Sequence, residues 1–521
     1  MTEYDYVIIG SGFGGSVSAL RLSEKGYKVL VIEKGKWFTA KDFPKTNWNL
    51  KKWLWLPQGG LYGFFKMTFL NHITVLSGVG VGGGSLTYAN TLPVPKKDFF
   101  TSGNWAGLDN WQENLKPFYT LAYKMLGAAT NTKIHASDTV LKEIAKDLHK
   151  ESSFKKAEVS VYFGSPGKTV KDPYFDGKGP DRTGCTHCGA CMTGCRYNAK
   201  NTLDKNYLYL AQQLGAKIIA EKEVYNVTPI GKEDGSEGYT IEFKNKIGKK
   251  KKGSVTAKGV IFSGGVMGTI PLLLELKDTS LPKLSDTLGK NVRTNNESLL
   301  LVTSTEKNPK DYSKGLAIGT VLHTDEKSHL EPVRYGQGSG FFRALTIPVV
   351  KSKYLIIRLL GIIGVFAKQP ITMLRTLFAK NYAKRTTVLL FMQTLDSTLQ
   401  IKRGKLTRMK TVTEAGPKPK AFIPEAMELA KKFSKKVKGI PFANITDVLL
   451  GSPTTAHILG GAVMGNDTTE GVIDKNNHVF GYKNMLICDG SMISANPGVN
   501  PSLSITAITE YTMSKIQKKQ Y

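Results

Sequence analysis

Apolar and polar residues along the chain fall into a few clear patterns. Tyr4 to Ile9 is a short β-branched apolar run and predicts a strand. Ser16 to Lys25 predicts a helix, and Lys28 to Ile32 a second strand. Much later, "RTTVLLFMQTLDSTLQIKRGKLTRMK" (385–410) alternates as an antiparallel sheet does. The run "NKIGKKKKGS" (245–254) predicts a solvated hairpin turn between two strands. Between 351 and 385, Leu355, Leu359, Ile362 and Phe366 recur at helical spacing, and Pro370 breaks the segment into two helices. No apolar run reaches the ~20 clean residues of a spanning helix. No period of repeats appears.

Length and charge change this picture in two ways. A chain of 521 residues exceeds one ordinary core, so two domains or one large discontinuous unit are expected. The formal charge of +30, from 72 basic and 42 acidic residues, favours an anionic partner. A membrane surface or an acidic electron carrier fits. Nucleic acid does not, because no nucleic-acid module pattern is present. The N-terminal "MTEYDYVIIGSGFGG" lacks the basic start and apolar core of a secretory signal. A reducing, cytoplasmic location follows as the expectation, with peripheral attachment to the inner membrane face as its variant.

The first strand runs into Gly10, Gly12 and Gly15, the G-x-G-x-x-G spacing, and the second strand ends on Glu33. Gly10 allows a tight turn, Gly12 lets backbone approach a pyrophosphate, and Gly15 lets helix and strand pack closely. The helix N-terminus attracts the anion, and Glu33 is placed to accept from a ribose hydroxyl. Two further stretches complete the pattern: "SGVGVGGGSLTYAN" (77–90) and the long run from "HILGG" at His457 to Glu510. Together the three resemble the glucose–methanol–choline (GMC) oxidoreductases, in their cholesterol-oxidase-like branch. The resemblance implies an α/β fold, with a Rossmann-like FAD domain interleaved with an α+β substrate domain containing a largely antiparallel sheet. The FAD domain is expected from 1–45, 77–100, 200–300 and 450–521. An aromatic lid (46–76) and a substrate domain (101–199 and 301–449) make up the rest. It also implies that Gly80, Gly82, Gly83, Gly84 and Ser85 pass beside FAD, that Asp489 and Gly490 meet its ribityl and phosphate groups, and that the Val224 backbone meets adenine. Some members bond flavin to a histidine where this chain has Tyr88, so the FAD is expected to be non-covalent.

Oxidising an alcohol with a flavin needs a hydride acceptor and a base for the hydroxyl proton. By the resemblance His457 is that base, and Asn500 positions the substrate oxygen. Pro501 begins a helix there, where its missing N–H is harmless. Glu331, in "HLEPVRYGQGSG", is the match for a branch glutamate that moves a double bond after oxidation. An ordinary strand-edge carboxylate is the alternative.

Four of five cysteines, Cys185, Cys188, Cys191 and Cys195, lie in the 182–200 loop at C-x2-C-x2-C-x3-C spacing. Gly189 and Gly194 would ease wrapping around a centre. An iron–sulfur cluster, zinc, and free thiols or disulfides all remain open. With a cluster, the protein becomes a dehydrogenase passing electrons to a quinone or cytochrome. Trp48, Trp53 and Trp55 load the lid with aromatics, which suits a lipophilic entrance or a buried flank. The basic apolar segment 351–385 reads as a lipid-lying element or a core helix. The expected substrate is a sterol, terpenoid or long-chain alcohol. A non-enzymatic flavin protein on the membrane is the remaining reading.

Overall fold

The computed structural model describes residues 3–350, 352, 354–404 and 409–520. Lys351 and Lys353 of the basic segment, and residues 405–408 of the alternating run, lie outside the described residues.

The opening pattern forms as read. β1 (Tyr4–Ile9) leads through the glycine turn into α1 (Phe13–Glu24), and β2 (Val29–Ile32) pairs parallel to β1. The aromatic stretch becomes a hairpin, β3 (Phe65–Leu70) and β4 (Ile73–Gly78), with Trp53 and Trp55 buried beneath it and Trp48 exposed. Next in the chain come β5 (Lys217–Ile219), β6 (Lys222–Pro229), β7 (Tyr239–Asn245) and β8 (Lys252–Phe262). The lysine-rich run is the turn between antiparallel β7 and β8. Then follow α2 (Val266–Lys277), β9 (Ser298–Ser304), β10 (Thr320–His323), β11 (Ser328–Val333) and β12 (Thr346–Pro348). Helices α3 (Leu355–Lys368) and α4 (Pro370–Leu377) break at Pro370, with 99° between them. The chain closes with β13 (Thr386–Gln393), α5 (Pro424–Lys436), β14 (Gly439–Asn444), β15 (Met485–Ile487) and α6 (Ser502–Lys515).

Two sheets result. The first runs β5-β2-β1-β8-β7-β6, with β15 beside the end of β8. Its centre is parallel, α1 packs on β1 and β2, and α6 packs against the outer side of α1. Ile8, Val31 and Ile261 are fully enclosed there. Each such side chain contributes about 1.5–3 kcal/mol by leaving water. Arg21 of α1 meets Glu510 of α6 at 2.7 Å and locks the two helices together. The second sheet is antiparallel throughout, in the order β12-β14-β9-β13-β11-β10 and then the short strand Phe154–Lys156. Helix α5 covers its far face. The near face looks across a cavity of about 1460 Å³ toward the first sheet.

Candidate active site

The cavity wall begins at the glycine turn after β1. Gly10 has φ +104°, a left-handed conformation, and a Cβ there would stand 2.4 Å from the Ser263 carbonyl oxygen. A Cβ on Gly14, which the motif leaves free, would meet the Cys488 carbonyl at 1.7 Å. Gly12, by contrast, faces open space: its nearest neighbour would be the Ser263 oxygen at 3.8 Å. Backbone N–H groups at the start of α1 therefore border a space that a phosphate can approach. Glu33 is buried at the end of β2. Its carboxylate accepts from the Ser11 amide (3.1 Å), the Ser11 hydroxyl (2.8 Å) and the Gly35 amide (2.9 Å), and it still lines the cavity.

Of the five residues expected beside FAD in the second glycine loop, Gly83 and Gly84 line the wall, together with Gly78, Val79 and Thr87 from the same stretch. Gly80, Gly82 and Ser85 stand behind it. The Ser85 hydroxyl donates to the Gly82 carbonyl (2.7 Å) and accepts from the Leu203 amide (3.1 Å), so it builds the turn and is not turned to the cavity. Asp489 and Gly490 do line the wall. Asp489 accepts from the Gly265 amide (2.8 Å) and the Thr269 hydroxyl (2.5 Å), fastening the end of β15 to the N-terminus of α2. Burial raises its carboxyl pKa. Val224 lines the far end, beside a bulge in β6 between Val224 and Asn226. Lys34, Lys66, Lys222, Lys244 and Lys246 line this end too, and nothing in the sequence marked them. Burial, with the charges of Lys34 and Lys246, pushes Lys66 down to about 7.

These residues fit FAD. The space is larger than the ~300–1,000 Å³ of an ordinary small-ligand site. A phosphate-receptive turn, a ribose-side carboxylate and surplus positive charge run in the order a dinucleotide needs. The phenol of Tyr88 donates to the Asn201 carbonyl (3.0 Å), and burial holds it protonated, so it offers no nucleophile for a covalent flavin link.

At the other end, His457 follows the two-residue strand Thr454–Thr455, which pairs with β4 of the aromatic hairpin. Its Nδ1 lies 2.6 Å from Glu297 Oε2, and Glu297 Oε1 accepts the Ala456 amide at 2.5 Å. Glu297 is buried and immediately precedes β9. With Nδ1 committed to it, Nε2 is the free nitrogen, 3.4 Å from the Asn500 amide nitrogen. Burial alone would lower the His457 pKa. The charge and hydrogen bond of Glu297, helped by Glu331, outweigh it and leave the imidazole raised. Asn500 Oδ1 is buried and has no partner among the described residues, an acceptor left for an incoming donor.

Glu331 on β11 shares a strand face with Val333, which lines the cavity, but Glu331 itself stands just behind the wall. Burial pushes its carboxyl up to about 8, with His457 and Asn500 pulling the other way. Oε1 is 3.8 Å from His329 Nε2, and Oε2 has no partner in the described structure. Sequence reasoning missed Glu297 altogether. Its only signal is a lone carboxylate in "NNESLLLV" at the head of an apolar strand. The remaining walls are apolar: Leu299, Leu301, Val333, Phe342, Val388 and Leu390.

Of the readings open for the cysteine loop, the geometry matches free thiols. Its four thiols are free and line a separate cavity of about 20 Å³ with Lys200. Among the described residues, no three His, Cys, Asp or Glu side chains are placed together to hold a metal ion. Cys185 packs into a small apolar core with Val161, Ala199 and Met392. Burial raises its thiol and pushes that of Cys191 up to about 11, so both stay protonated. Lys200 gives the loop its structure. Its buried amino group donates to the carbonyls of Leu86 (3.1 Å), Tyr88 (2.9 Å) and Cys191 (3.0 Å), fastening the loop to the glycine turn, and burial pushes its pKa down to about 7.

Comparison with known proteins agrees with this geometry. A family model described as GMC oxidoreductase matches residues 178–293, and a second of the same description matches 406–509. A NAD(P)-binding Rossmann-like model matches residues 8–39. The chain is 43% identical to a cholesterol oxidase of Acinetobacter baumannii, over 99% of this chain and 95% of that protein. It is 40% identical to a cholesterol oxidase of Mycobacterium tuberculosis, over 98% and 90%. A long-chain-alcohol oxidase of Arabidopsis thaliana is 25% identical over 98% and 67%. Among solved structures, pyridoxine 4-oxidase from Mesorbium loti shares the fold with TM-score 0.63 at 15% identity, covering 99% of this chain and all of that one.

Proposed function

The chain belongs to the GMC oxidoreductase family, as an FAD-dependent oxidoreductase acting on CH–OH groups, and from that premise we propose that it oxidises the hydroxyl of a sterol, terpenoid or long-chain alcohol, with His457 as base. The observation that carries this is the His457 geometry. Glu297 holds one ring nitrogen at 2.6 Å, and the other faces Asn500 at the junction of the glycine-lined cradle and the apolar chamber.

Bound FAD supplies the hydride acceptor. The neutral imidazole takes the hydroxyl proton at Nε2, and Glu297 stabilises the imidazolium that forms. The Asn500 amide N–H donates to the substrate oxygen and keeps it in line with Nε2. Leu299, Leu301, Val388 and Leu390 exclude water and favour an apolar body of sterol or fatty type. The relatives at 40–43% identity are oxidases by name, which supports oxygen as the final acceptor, with one peroxide formed per carbonyl. An alcohol of this kind resides in lipid, so the enzyme must meet a lipid surface. A cluster-dependent dehydrogenase has no structural support in the cysteine loop.

The test is anaerobic bleaching of the holoenzyme by cholesterol and by long-chain alcohols, then peroxide release in air. His457→Ala should keep its yellow colour and lose turnover by about three orders of magnitude. A variant that turns over normally ends the assignment of His457. No bleaching by any lipophilic alcohol ends the substrate class.

A further inference from the structure

We propose that α3 and α4 form an in-plane docking surface for an anionic lipid bilayer, directly above the substrate chamber. The inference rests on the lipophilic-alcohol reading and names where that substrate enters.

Helix α3 has fourteen residues, mostly aliphatic, and none is buried. Ile356 is 71% exposed, Leu360 62% and Ile363 63%, while Phe378 just past α4 reaches 75%. Ile371 and Leu374 of α4 and Leu450 are also exposed. Single exposed apolar residues are ordinary, but a continuous patch of this size marks an interaction surface.

The opposite flank packs onto the chamber. Val365 and Phe366 of α3 and Met373 of α4 cluster with Leu301 and Phe342, and both of those line the cavity. Arg358 donates to the Val448 carbonyl at 3.0 Å, tying α3 to the turn that leads into the His457 strand. The patch is therefore the outer side of the roof under which the alcohol reacts.

Charge identifies the occupant. Between Glu331 and Asp396 the sequence has ten basic residues and no acidic one. Lys368, Arg375 and Lys380 are exposed beside the aliphatic face. Anionic headgroups answer such a set. A second copy of the chain does not, because a two-fold contact would set these cations against themselves with no carboxylate between. Length fixes the mode. Fourteen residues make about 21 Å of helix, short of the ~30 Å hydrocarbon layer. No single described helix is long and apolar enough to cross; α3 and α4 have the length and composition only as a pair, and the 99° break between them leaves no straight span. The surface lies in the interface, with its aliphatic side chains among the acyl chains.

Co-sedimentation of the holoenzyme with phosphatidylcholine vesicles, with and without phosphatidylglycerol, tests this. The wild type should sediment with the anionic vesicles and be released by salt. The triple variant Ile356→Glu, Leu360→Glu, Ile363→Glu should partition about tenfold less or worse. Its turnover of vesicle-held cholesterol should fall by the same factor, with kcat on detergent-dispersed cholesterol unchanged. Retained flavin absorbance shows that it folds. If it does not, the charge reversal Lys368→Glu, Arg375→Glu, Lys380→Glu should abolish the preference for anionic vesicles. Equal binding of either folded variant and wild type overturns the proposal, and so does equal binding to neutral and anionic vesicles. A wild-type dimer that the triple variant dissociates also overturns it. Vesicle binding without flavin bleaching by any alcohol defeats the substrate reading alone. Bleaching without vesicle binding defeats the docking surface alone.

Discussion

His457 is set by one neighbour, and that neighbour decides how the site answers to pH. Burial would make the imidazole a weak base, but the Glu297 carboxylate at 2.6 Å reverses this. The acid limb of kcat/KM should therefore lie above the ordinary histidine range of about 6.5. Glu297→Gln keeps the shape and removes the charge. Its acid limb should move to lower pH, and kcat should fall about a hundredfold, as the imidazolium forms with no counter-charge. A pH profile identical to wild type would remove Glu297 from the machinery. Glu331 makes a second, independent prediction. Its native pKa is raised to about 8 by burial, so the native state holds a proton that the unfolded chain gives up near the usual ~4.3. The stability this adds is complete in acid and is lost as pH rises through 8. Glu331→Gln does not titrate, so its Tm advantage over wild type should be small at pH 5 and grow to several degrees above pH 8. A pH-independent difference would mean that Glu331 is already ionised in the native protein.

At the scale of elements, the cysteine loop behaves as a bracket. One side chain, Lys200, holds three carbonyls from two segments, and two of those belong to the turn that carries Gly83 and Gly84. Lys200→Met would leave those buried acceptors unsatisfied, at about 1–3 kcal/mol each before relaxation. The variant should release FAD at a lower urea concentration than wild type. Its loop thiols should also react faster with a thiol reagent, since Cys185 and Cys191 lose their enclosure. Unchanged thiol reactivity would show that the loop is held from elsewhere. Spacing alone invited a metal because four cysteines within eleven residues suit one. What it could not reveal is that Cys185 packs into an apolar core with Val161, Ala199 and Met392, and that Lys200 ties the loop backbone to the glycine turn.

Over the whole molecule, legibility follows the range of the interactions. The β1–α1–β2 unit was readable because its glycines, strands and acid are near neighbours in sequence. Breakage at Pro370 and the turn within 245–254 are local too, and both form as expected. Glu297 is 160 residues from His457, and the basic residues around Val224 come from four segments, so no spacing rule joins them. Ser85 sits in a readable motif yet faces away from the cavity, because motif membership fixes backbone position before side-chain direction. The same long-range assembly governs stability. The cavity of about 1460 Å³ has walls from both sheets and from the β3–β4 hairpin, so much of what joins them is the ligand between them. FAD binds the folded form only, and at one hundred times Kd it should add about 2.7 kcal/mol. Stripping FAD should lower Tm and split the melt into two transitions, one for each sheet, and excess FAD should restore a single transition at the original temperature. If the apoprotein melts in one transition at the holoenzyme's Tm, the two sheets are coupled by protein contacts alone, and the cavity is no structural joint.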